Sequence, residues 1–332
     1  MKRILLMVVA ACFLIGLVAS AQAQERLFLL DWIIYGKHAP FFAAKDFGFF
    51  KKEGLDLRIE RGFGSGDSAK RVGAKAAPLS FADAGTVTAA RVAGAKIVEV
   101  GMIHANSPYA LYFLKEKAVD HPSKIKGWKL GSTPGDAARV VFPAFARLVG
   151  LDPKDVTWVD MVYAAKLPSL LTGKVDAIPD FTTGGVTNIA AAREAGKTLI
   201  EMRYGPYGMD VYSNGLIVHE DTIKAEPDLI RRFVKANMEA WAHCMIYSKK
   251  CLDNFYQYSP GMSKELVDGH YIEAINLLID EGVKKNGLGW MDHEKMDRTV
   301  EIMTKYTPLQ RRIKTDELYT NQFLPQVATP KM

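Results

Sequence analysis

The fold can be predicted from one stretch, LFLLDWIIYGKHAPFFAAKDFGFFKKEGLDLRI, which spans residues 27–59. It opens with an apolar run of the length of a buried strand. From about Pro40, apolar residues recur at helical spacing until Gly54, a residue type that commonly follows the last turn of a helix. Apolar and charged residues then alternate from Leu55, which is typical of a strand. A strand, a helix and a strand in this order predict a right-handed βαβ unit with two parallel strands.

The loop between the first strand and the helix carries three ring-bearing residues, Trp32, Tyr35 and His38. In parallel α/β sheets, ligands bind outside the carboxyl ends of the strands, and this loop occupies that place. Flat rings suit a planar heterocycle, although packing alone is the alternative explanation. We therefore predict that these three residues contact a ligand.

The alternation of strands and helices continues and predicts two lobes. A fresh α/β series begins near Trp128, an apolar run returns at Val211, and the chain is almost wholly helical from Glu226 onward, with patterns at 228–248, 263–282 and 291–305. We assign residues 24–113 and 215–332 to lobe 1 and residues 114–214 to lobe 2. The chain would cross between lobes near Phe113 and Asn214, with a ligand cleft between the lobes and hinge motion at the crossings.

A family resemblance rests on the order D-W-x-x-Y-x-x-H-A-x-F-x-A from Asp31 and G-F-F-K-K-E-G-L-D from Gly48. These motifs resemble the opening of the NMT1/THI5-like periplasmic solute-binding proteins for thiamine precursors and sulfonates. The resemblance runs from about Glu25 to the last third of the chain. It implies an α/β, two-lobed periplasmic binding protein fold of the type II-like class, with two crossing segments and a helical C-terminal tail. It also implies delivery of a small molecule to the permease and ATPase subunits of an ABC importer.

The N-terminus has the pattern of a secretory signal peptide. A basic start is followed by an apolar run over residues 4–18 and by an A-x-A site ending at Ala23, so we assign residues 1–23 to a cleaved signal and expect a periplasmic protein. Cleavage as a lipoprotein before Cys12 is the alternative. No later stretch reaches the ~18 apolar residues of a membrane helix, so we expect contact with the membrane only through the permease.

Charge and cysteine content narrow the class further. Without Lys2 and Arg3, the formal net charge falls from +6 to +4, and no basic run of five or six residues occurs, so we expect no nucleic-acid partner. We expect a monomer. Cys244 and Cys251 remain after cleavage, and either a disulfide or two free thiols fits the sequence, because a break near Ser248 would let the helix ends meet.

Further candidate ligand contacts lie at loop-to-helix junctions and strand ends. The loop 62–66 lacks the sixth-position glycine of a dinucleotide fingerprint, so its backbone amides are better suited to a polar ligand at a helix start. The segment 132–136 has the same form in lobe 2, with an ordinary helix cap as the alternative. Strand-end aspartates, Asp180 included, could accept hydrogen bonds from ligand amino groups, and the aromatic segment 204–214 precedes the second crossing. The candidates from these segments are Gly64, Ser65, Asp83, Ser132, Thr133, Asp136, Asp160, Tyr207 and Asp210.

Catalytic motifs are missing from the sequence. It contains no G-x-S-x-G, H-E-x-x-H, C-x-x-C or P-loop pattern, and its seven histidines lack metal-ligand spacing, so we predict no catalytic site, no metal and no cofactor. One relative implied by the resemblance is an enzyme, the fungal-type pyrimidine synthase, which uses a pyridoxal phosphate lysine, a sacrificial histidine and a cysteine-rich motif. The absence of a cysteine cluster places this enzyme alternative last.

The expected function is therefore a solute-binding protein of an ABC importer. The resemblance implies a thiamine-precursor pyrimidine or a similar planar heterocycle as the ligand, and the ring-bearing residues favour the same class. An alkanesulfonate or another small organic anion is the first alternative, ranked second because no arginine stands in an evident clamp motif. A sensor subunit rather than a transporter part is a further alternative.

Overall fold

The structure, a computed structural model, describes residues 24–306 and 313–325, so the predicted signal peptide lies outside the described residues. Two five-stranded sheets form the centres of two lobes. The strands are β1 (Arg26–Leu29), β2 (Leu57–Glu60), β3 (Leu79–Asp83), β4 (Ile97–Met102), β5 (Tyr109–Leu114), β6 (Lys129–Ser132), β7 (Thr157–Asp160), β8 (Ala177–Phe181), β9 (Leu199–Arg203) and β10 (Asn214–His219).

Lobe 1 contains the sheet with strand order β2-β1-β3-β10-β4. The predicted βαβ unit is present: β1 pairs in parallel with β2, with Phe28 opposite Ile59. The late strand β10 enters this sheet antiparallel to both β3 and β4. Because β10 returns from lobe 2, the first lobe is built from both ends of the chain, as the alternation of elements predicts.

Lobe 2 contains the sheet with strand order β7-β6-β8-β5-β9. Here β5 is antiparallel to both β8 and β9, pairing Phe113 with Ala177 on one side and with Ile200 on the other. The first crossing therefore lies in residues 103–108, upstream of the position near Phe113 predicted from the sequence. The reason is that the run Tyr109–Leu114 is a central strand of the second sheet and not a connection. The second crossing ends at Asn214, where β10 begins.

The helices cover the faces of the two sheets and make up most of the C-terminal region. They are α1 (Ala39–Asp46), α2 (Phe49–Lys52), α3 (Ser65–Gly73), α4 (Ala84–Val92), α5 (Ala137–Leu148), α6 (Lys166–Leu171), α7 (Thr182–Glu194), α8 (Glu220–Ala225), α9 (Pro227–Ile246), α10 (Ser248–Phe255), α11 (Lys264–Asn276), α12 (Glu281–Asn286) and α13 (His293–Tyr306). In the described part of the chain, none of these helices is both long and apolar enough to cross a membrane.

The C-terminal helices differ from the sequence prediction at one break and agree with it at another. The predicted helix 263–282 ends at Asn276, and α12 begins only at Glu281 after the capping carboxylate of Asp280, which accepts a hydrogen bond from the Val283 N–H. The break between α9 and α10 brings Cys244 and Cys251 into a disulfide with a Cα–Cα distance of 5.6 Å. The structure thus resolves the cysteine question in favour of the bridge.

Candidate functional site

A small cavity lies between the lobes, beyond the carboxyl ends of β1 and β8. Lobe 1 contributes the loop after β1 and the start of α3, while lobe 2 contributes the start of α5 and the end of β8. The lining residues are Asp31, Trp32, Tyr35, Lys37, Ser65, Asp136, Ala137, Asp180 and Phe181. The location is the one at which parallel α/β sheets bind ligands.

The lobe 1 wall is built around the buried carboxylate of Asp31. Its Oδ2 accepts hydrogen bonds from Lys37 Nζ at 2.6 Å and from Asn214 Nδ2 at 2.8 Å, and its Oδ1 lies 2.9 Å from His38 Nε2. Burial alone would raise the pKa of Asp31, but the Lys37 charge and the hydrogen bond from His38 hold it well below its usual range. Burial lowers the pKa of His38 to about 4. The wall therefore holds a carboxylate, an ammonium and a neutral imidazole at neutral pH.

The lobe 2 wall is built around the buried ammonium of Lys166. Its Nζ lies 2.9 Å from Asp136 Oδ2, 3.4 Å from Asp180 Oδ2 and 2.5 Å from the Pro179 carbonyl oxygen. Burial by itself would lower the pKa of Lys166, but the charges of Asp136 and Asp180 outweigh burial and raise it. Burial also raises the pKa of Asp180, with the Lys166 charge opposing this shift. One ammonium is thus shared by two carboxyl groups.

The three cavity carboxyls have the same pattern of hydrogen bonding. In Asp31, Asp136 and Asp180, Oδ2 accepts two hydrogen bonds from protein donors, whereas Oδ1 accepts one. A carboxylate offers about four acceptor positions, so each of the three retains capacity for one more donor. With three carboxyls against two ammonium groups, the site as a whole favours a ligand that donates hydrogen bonds.

Aromatic rings form part of the cavity lining and also make contacts between the lobes. The ring of Trp32 meets that of Tyr163 edge to face, with centroids 5.5 Å apart. The hydroxyl of Tyr35 lies 2.9 Å from the Thr183 hydroxyl of lobe 2. Lys37 Nζ sits 5.2 Å from the Tyr35 ring and 5.1 Å from the ring of Phe181. Rings and carboxyls together suit a flat ligand with polar edges.

Four of the residues predicted from the sequence line this cavity: Trp32, Tyr35, Ser65 and Asp136. Four others stand next to it, without lining it. His38 lies behind Asp31, and Ser132 donates to Asp136 Oδ2 at 3.2 Å. Thr133 donates to the Met161 carbonyl, and Gly64 abuts Gly135 of lobe 2 so closely that a Cβ on Gly64 would lie 2.3 Å from the Gly135 oxygen.

The other four predicted residues lie elsewhere. Asp83 caps α4 and accepts hydrogen bonds from Tyr109 and Ser213, which places it at the crossings. The remaining three are outside the cavity lining: Asp160 pairs with Arg139 at 2.7 Å, Tyr207 packs against His121 and Phe145, and Asp210 lies 3.7 Å from both Lys295 and Arg298.

The sequence reasoning missed Asp31, Lys37, Ala137 and Phe181 as cavity residues. Asp31 carried a signal, because it directly follows β1 just as Asp83 and Asp180 end their strands. Lys37 carried none: a lysine in a loop is usually solvated, and only its salt bridge with Asp31 and its contact with the ring of Phe181, brought close by folding, explain its burial. Among residues 24–306 and 313–325, no group of three or more histidine, cysteine or acidic side chains could hold a metal ion.

The comparisons with known proteins agree on one family. A family model described as NMT1/THI5 like matches residues 36–248, more than half of the chain. A putative thiamine biosynthesis protein of Haemophilus influenzae is 24% identical over 252 residues, covering 75% of this chain and 79% of that protein. The riboflavin-binding protein RibY of Chloroflexus aurantiacus is 21% identical, with 92% and 88% covered. A yeast protein, 4-amino-5-hydroxymethyl-2-methylpyrimidine phosphate synthase THI12 of Saccharomyces cerevisiae, is 22% identical, with 74% of each chain covered.

Solved structures match the fold over nearly the whole chain. The alkanesulfonate-binding protein SsuA from Xanthomonas axonopodis pv. citri, bound to MOPS, superposes with a TM-score of 0.69 at 12% identity, covering 91% of this chain and 99% of that one. This likeness confirms the predicted two-lobed periplasmic binding protein fold with its helical C-terminal region. At such low identity it carries no information about the ligand.

Proposed function

The chain belongs to the NMT1/THI5-like family, and we propose that it is the periplasmic solute-binding component of an ABC importer for a small planar amino-heterocycle. A pyrimidine precursor of thiamine is the ligand that we infer. The mechanism is capture in the cleft, closure of the lobes about the two crossings, and docking of the closed form on the permease. The signal-peptide pattern of residues 1–23 supports the periplasmic assignment.

The observation that carries this proposal is the set of three cavity carboxyls, Asp31, Asp136 and Asp180, each with an Oδ1 that accepts one protein hydrogen bond. Aminopyrimidines present exocyclic N–H donors in the plane of a ring, which matches acceptors placed around the edge of a ring-lined cavity. Each hydrogen bond to a charged group contributes about 1.5–3 kcal/mol. Two or three of them together with ring contacts supply roughly 3.5–10.5 kcal/mol, a range that reaches the ~8.2 kcal/mol of a micromolar dissociation constant.

The names of the relatives favour a pyrimidine only in part, because one of them is named a riboflavin-binding protein. The names of other relatives refer to thiamine biosynthesis or to a pyrimidine phosphate.

An alkanesulfonate remains the alternative ligand, as the family resemblance of the sequence implies. A sulfonate is an acceptor of hydrogen bonds and would need positively charged partners. No arginine lines the described cavity, and the ammonium groups of Lys37 and Lys166 are already paired with carboxyls. The electrostatics of the site therefore rank the sulfonate second.

A pyrimidine synthase is the alternative from a different class, favoured by the yeast relative and by the neighbours Lys37 and His38 in the site. That enzyme's chemistry as implied by family resemblance needs a lysine for pyridoxal phosphate and a cysteine-rich motif. Here Lys37 is 1% exposed and bound to Asp31, and the phosphate would face acidic groups. The cysteines after residue 23 form a disulfide. These residues fit the cofactor poorly, so no step is assigned to it.

The test is thermal unfolding of the mature protein against a panel of ligands. The panel contains aminopyrimidines, thiamine, riboflavin, purines, taurine and longer alkanesulfonates. A ligand at one hundred times its dissociation constant stabilises the folded state by about 2.7 kcal/mol, which shifts the melting temperature measurably. We expect aminopyrimidines to give the largest shift.

The outcomes separate the alternatives. A shift with sulfonates alone would keep the transport role and overturn the ligand class. Incubation with pyridoxal phosphate, followed by mass spectrometry of the peptide that contains His38, tests the enzyme. Consumption of this histidine with release of a pyrimidine would overturn the binding-only function.

A further inference from the structure

Helices α7 of lobe 2 and α11 of lobe 1 meet along a contact that lies beside the ligand cavity. Thr183, Val186 and Thr187 share one face of α7, since residues three and four apart are neighbours on a helix. Gly269 and His270 of α11 lie against this face. We call these five residues together with Tyr35 the seam. It joins the lobes at residues that do not line the cavity, Tyr35 excepted.

The closest approach in the seam depends on a glycine. A Cβ placed on Gly269 would lie 2.7 Å from Val186 Cγ1, a separation that real side chains do not tolerate. An alanine at position 269 would therefore push α7 away from α11 unless Val186 moves. The size of the side chain at position 269 therefore affects the distance between α7 and α11, and with it the distance between the lobes.

His270 is the basic residue of the seam. Its Nε2 lies 2.7 Å from the Thr187 hydroxyl, and its ring meets the Tyr35 ring edge to face with centroids 4.8 Å apart. From the lobe 1 loop, Lys37 and His38 also act on it. Burial, followed by the charges of His38 and Lys37, lowers the pKa of His270 to about 4. The imidazole is thus neutral at neutral pH while α7 covers it.

The other charged groups near the seam form a pair of their own. On the next turn of α11, Glu273 lies 3.8 Å from Arg203 of lobe 2, and both side chains are partly solvated. Along α11, Asp268 lies two residues before the histidine and accepts a hydrogen bond from the Tyr256 hydroxyl, while Glu273 lies one turn after the histidine and is paired with Arg203. A proton on His270 would therefore face the ammonium of Lys37 without a carboxylate in the seam to balance it.

We propose that the seam is a second closure contact, separate from the ligand contacts, and that it opens when His270 becomes protonated. His270, Gly269 and Val186 are thus positioning residues for ligand capture. The link to ligand release rests on the proposed function above, whereas the opening itself is a property of the protein alone.

The direction of the pH effect follows from the pKa of His270 in the closed and in the open form of the protein. With the seam closed, His270 titrates at about 4, and when α7 moves away its pKa returns toward the ordinary value of 6.5. The open form therefore takes up the proton first as the pH falls. Complete return to 6.5 lowers the closure constant by roughly thirtyfold between pH 7.5 and pH 5, which is the upper limit. Closure is favoured above about pH 6.5 and lost progressively below it.

The first experiment tests the steric part by small-angle X-ray scattering, without added ligand and with 4-amino-5-hydroxymethyl-2-methylpyrimidine. We expect Gly269→Ala to increase the radius of gyration and to raise the dissociation constant of the pyrimidine at least about tenfold. Val186→Ala in the same chain should restore both, because it removes the methyl group that the alanine meets. A Gly269→Ala protein that scatters and binds like wild type, or a double variant no better than the single one, would overturn the proposal.

The second experiment tests the pH dependence. Scattering of the wild-type protein without ligand should show opening between about pH 7.5 and pH 5, and His270→Gln should remove that change. The matched control is His121→Gln, in an exposed turn of lobe 2, which should open as wild type does. Equal opening of the His270→Gln and wild-type proteins would contradict the role of His270. If no compound of the panel binds, the proposed function fails, yet the scattering still decides whether the seam exists.

Discussion

The two walls of the cavity both combine buried carboxyl groups with a buried lysine, but the ratio of carboxyls to lysine differs. In lobe 1, the carboxylate of Asp31 pairs with the ammonium of Lys37, and His38 and Asn214 are additional neutral donors to it. In lobe 2, the carboxyls of Asp136 and Asp180 both pair with the ammonium of Lys166. The first wall is electrically balanced without a ligand, while the second wall has one acid more than it has base. We therefore expect the lobe 1 wall mainly to support the structure and the lobe 2 wall mainly to attract the ligand.

The different proportions also produce opposite responses to protons. The pKa of Asp31 is held low and that of His38 is lowered, so the lobe 1 wall resists protonation in the folded state. The pKa of Asp180 is raised by burial, so the lobe 2 wall accepts a proton more readily than an unfolded chain does. Each wall can therefore be altered separately, and the results can be compared.

The largest expected effect comes from replacing the lysine of each wall with methionine. Lys166→Met leaves Asp136 and Asp180 without their ammonium, and removal of one partner from a buried ion pair costs about 3–5 kcal/mol. Lys37→Met should cost less, because it leaves one carboxyl rather than two without an ammonium and the neighbouring His38 can take up a proton in place of the lysine charge. Denaturant unfolding at pH 7 measures both variants. Equal losses would contradict the difference between the walls.

The second prediction concerns ligand attraction by the acid of lobe 2. Asp180→Asn removes a charged acceptor and should weaken binding of an aminopyrimidine by about 1.5–3 kcal/mol, or roughly tenfold to a hundredfold, in isothermal calorimetry. Asp160→Asn is the matched control, since Asp160 ends strand β7 of the same sheet and pairs with Arg139 outside the cavity. Its affinity should be unchanged. Tighter binding of an alkanesulfonate to the Asp180→Asn protein than to wild type would indicate the alternative ligand class.

The fold could be predicted from local patterns because periodicity and turn residues determine strands and helices over short distances. The βαβ unit over 27–59 is the clearest case, and the return of the chain at Asn214 also followed from the order of elements. The crossing near Phe113 was misplaced because the run Tyr109–Leu114 is apolar throughout. Such a run fits a strand of either lobe, and only its pairing with β8 and β9 assigns it to lobe 2.

The site was predictable only where the residue type itself carries the function. Trp32 and Tyr35 were found because rings in a strand-end loop are conspicuous, and Asp136 because it begins a helix beside the cleft. The burial of Lys37 was not predictable, since it depends on contacts that only folding brings about, with the rings of Phe81 and Phe181 from distant parts of the chain. Asp160 shows the converse: a strand-end aspartate in the right pattern can face solvent when a nearby arginine pairs with it.

The third prediction uses the opposite pH responses of the walls. A buried His38 with a pKa of about 4, against 6.5 when unfolded, contributes stability that is complete above about pH 6.5 and is lost as the pH falls toward 4. Between pH 7 and pH 5 this linkage amounts to about 2 kcal/mol. We expect His38→Gln to reduce the acid-induced loss of unfolding free energy by that amount.

The control for this prediction is in the other wall. Because the folded-state pKa of Asp180 is raised, the folded protein gains protons there, and this group stabilises the fold as the pH falls. Asp180→Asn should therefore increase the acid-induced loss, a change of opposite sign to that of His38→Gln. The same sign in both variants would show that the walls do not differ in proton linkage.

The smallest expected effect belongs to the aromatic ring that faces both walls. Trp32 lines the cavity from lobe 1, and its only partner ring in the described chain within contact distance, Tyr163, belongs to lobe 2. Stacking beyond the burial of area contributes about 0.5–1.5 kcal/mol, so Trp32→Leu should raise the dissociation constant of a pyrimidine about threefold to tenfold. Trp158→Leu is the matched control, because this tryptophan also packs edge to face, against Phe142, but outside the cavity. If both variants bind the pyrimidine equally well, the ring of Trp32 contacts the other lobe and not the ligand. Ligand recognition would then rest on the carboxyls of the two walls alone.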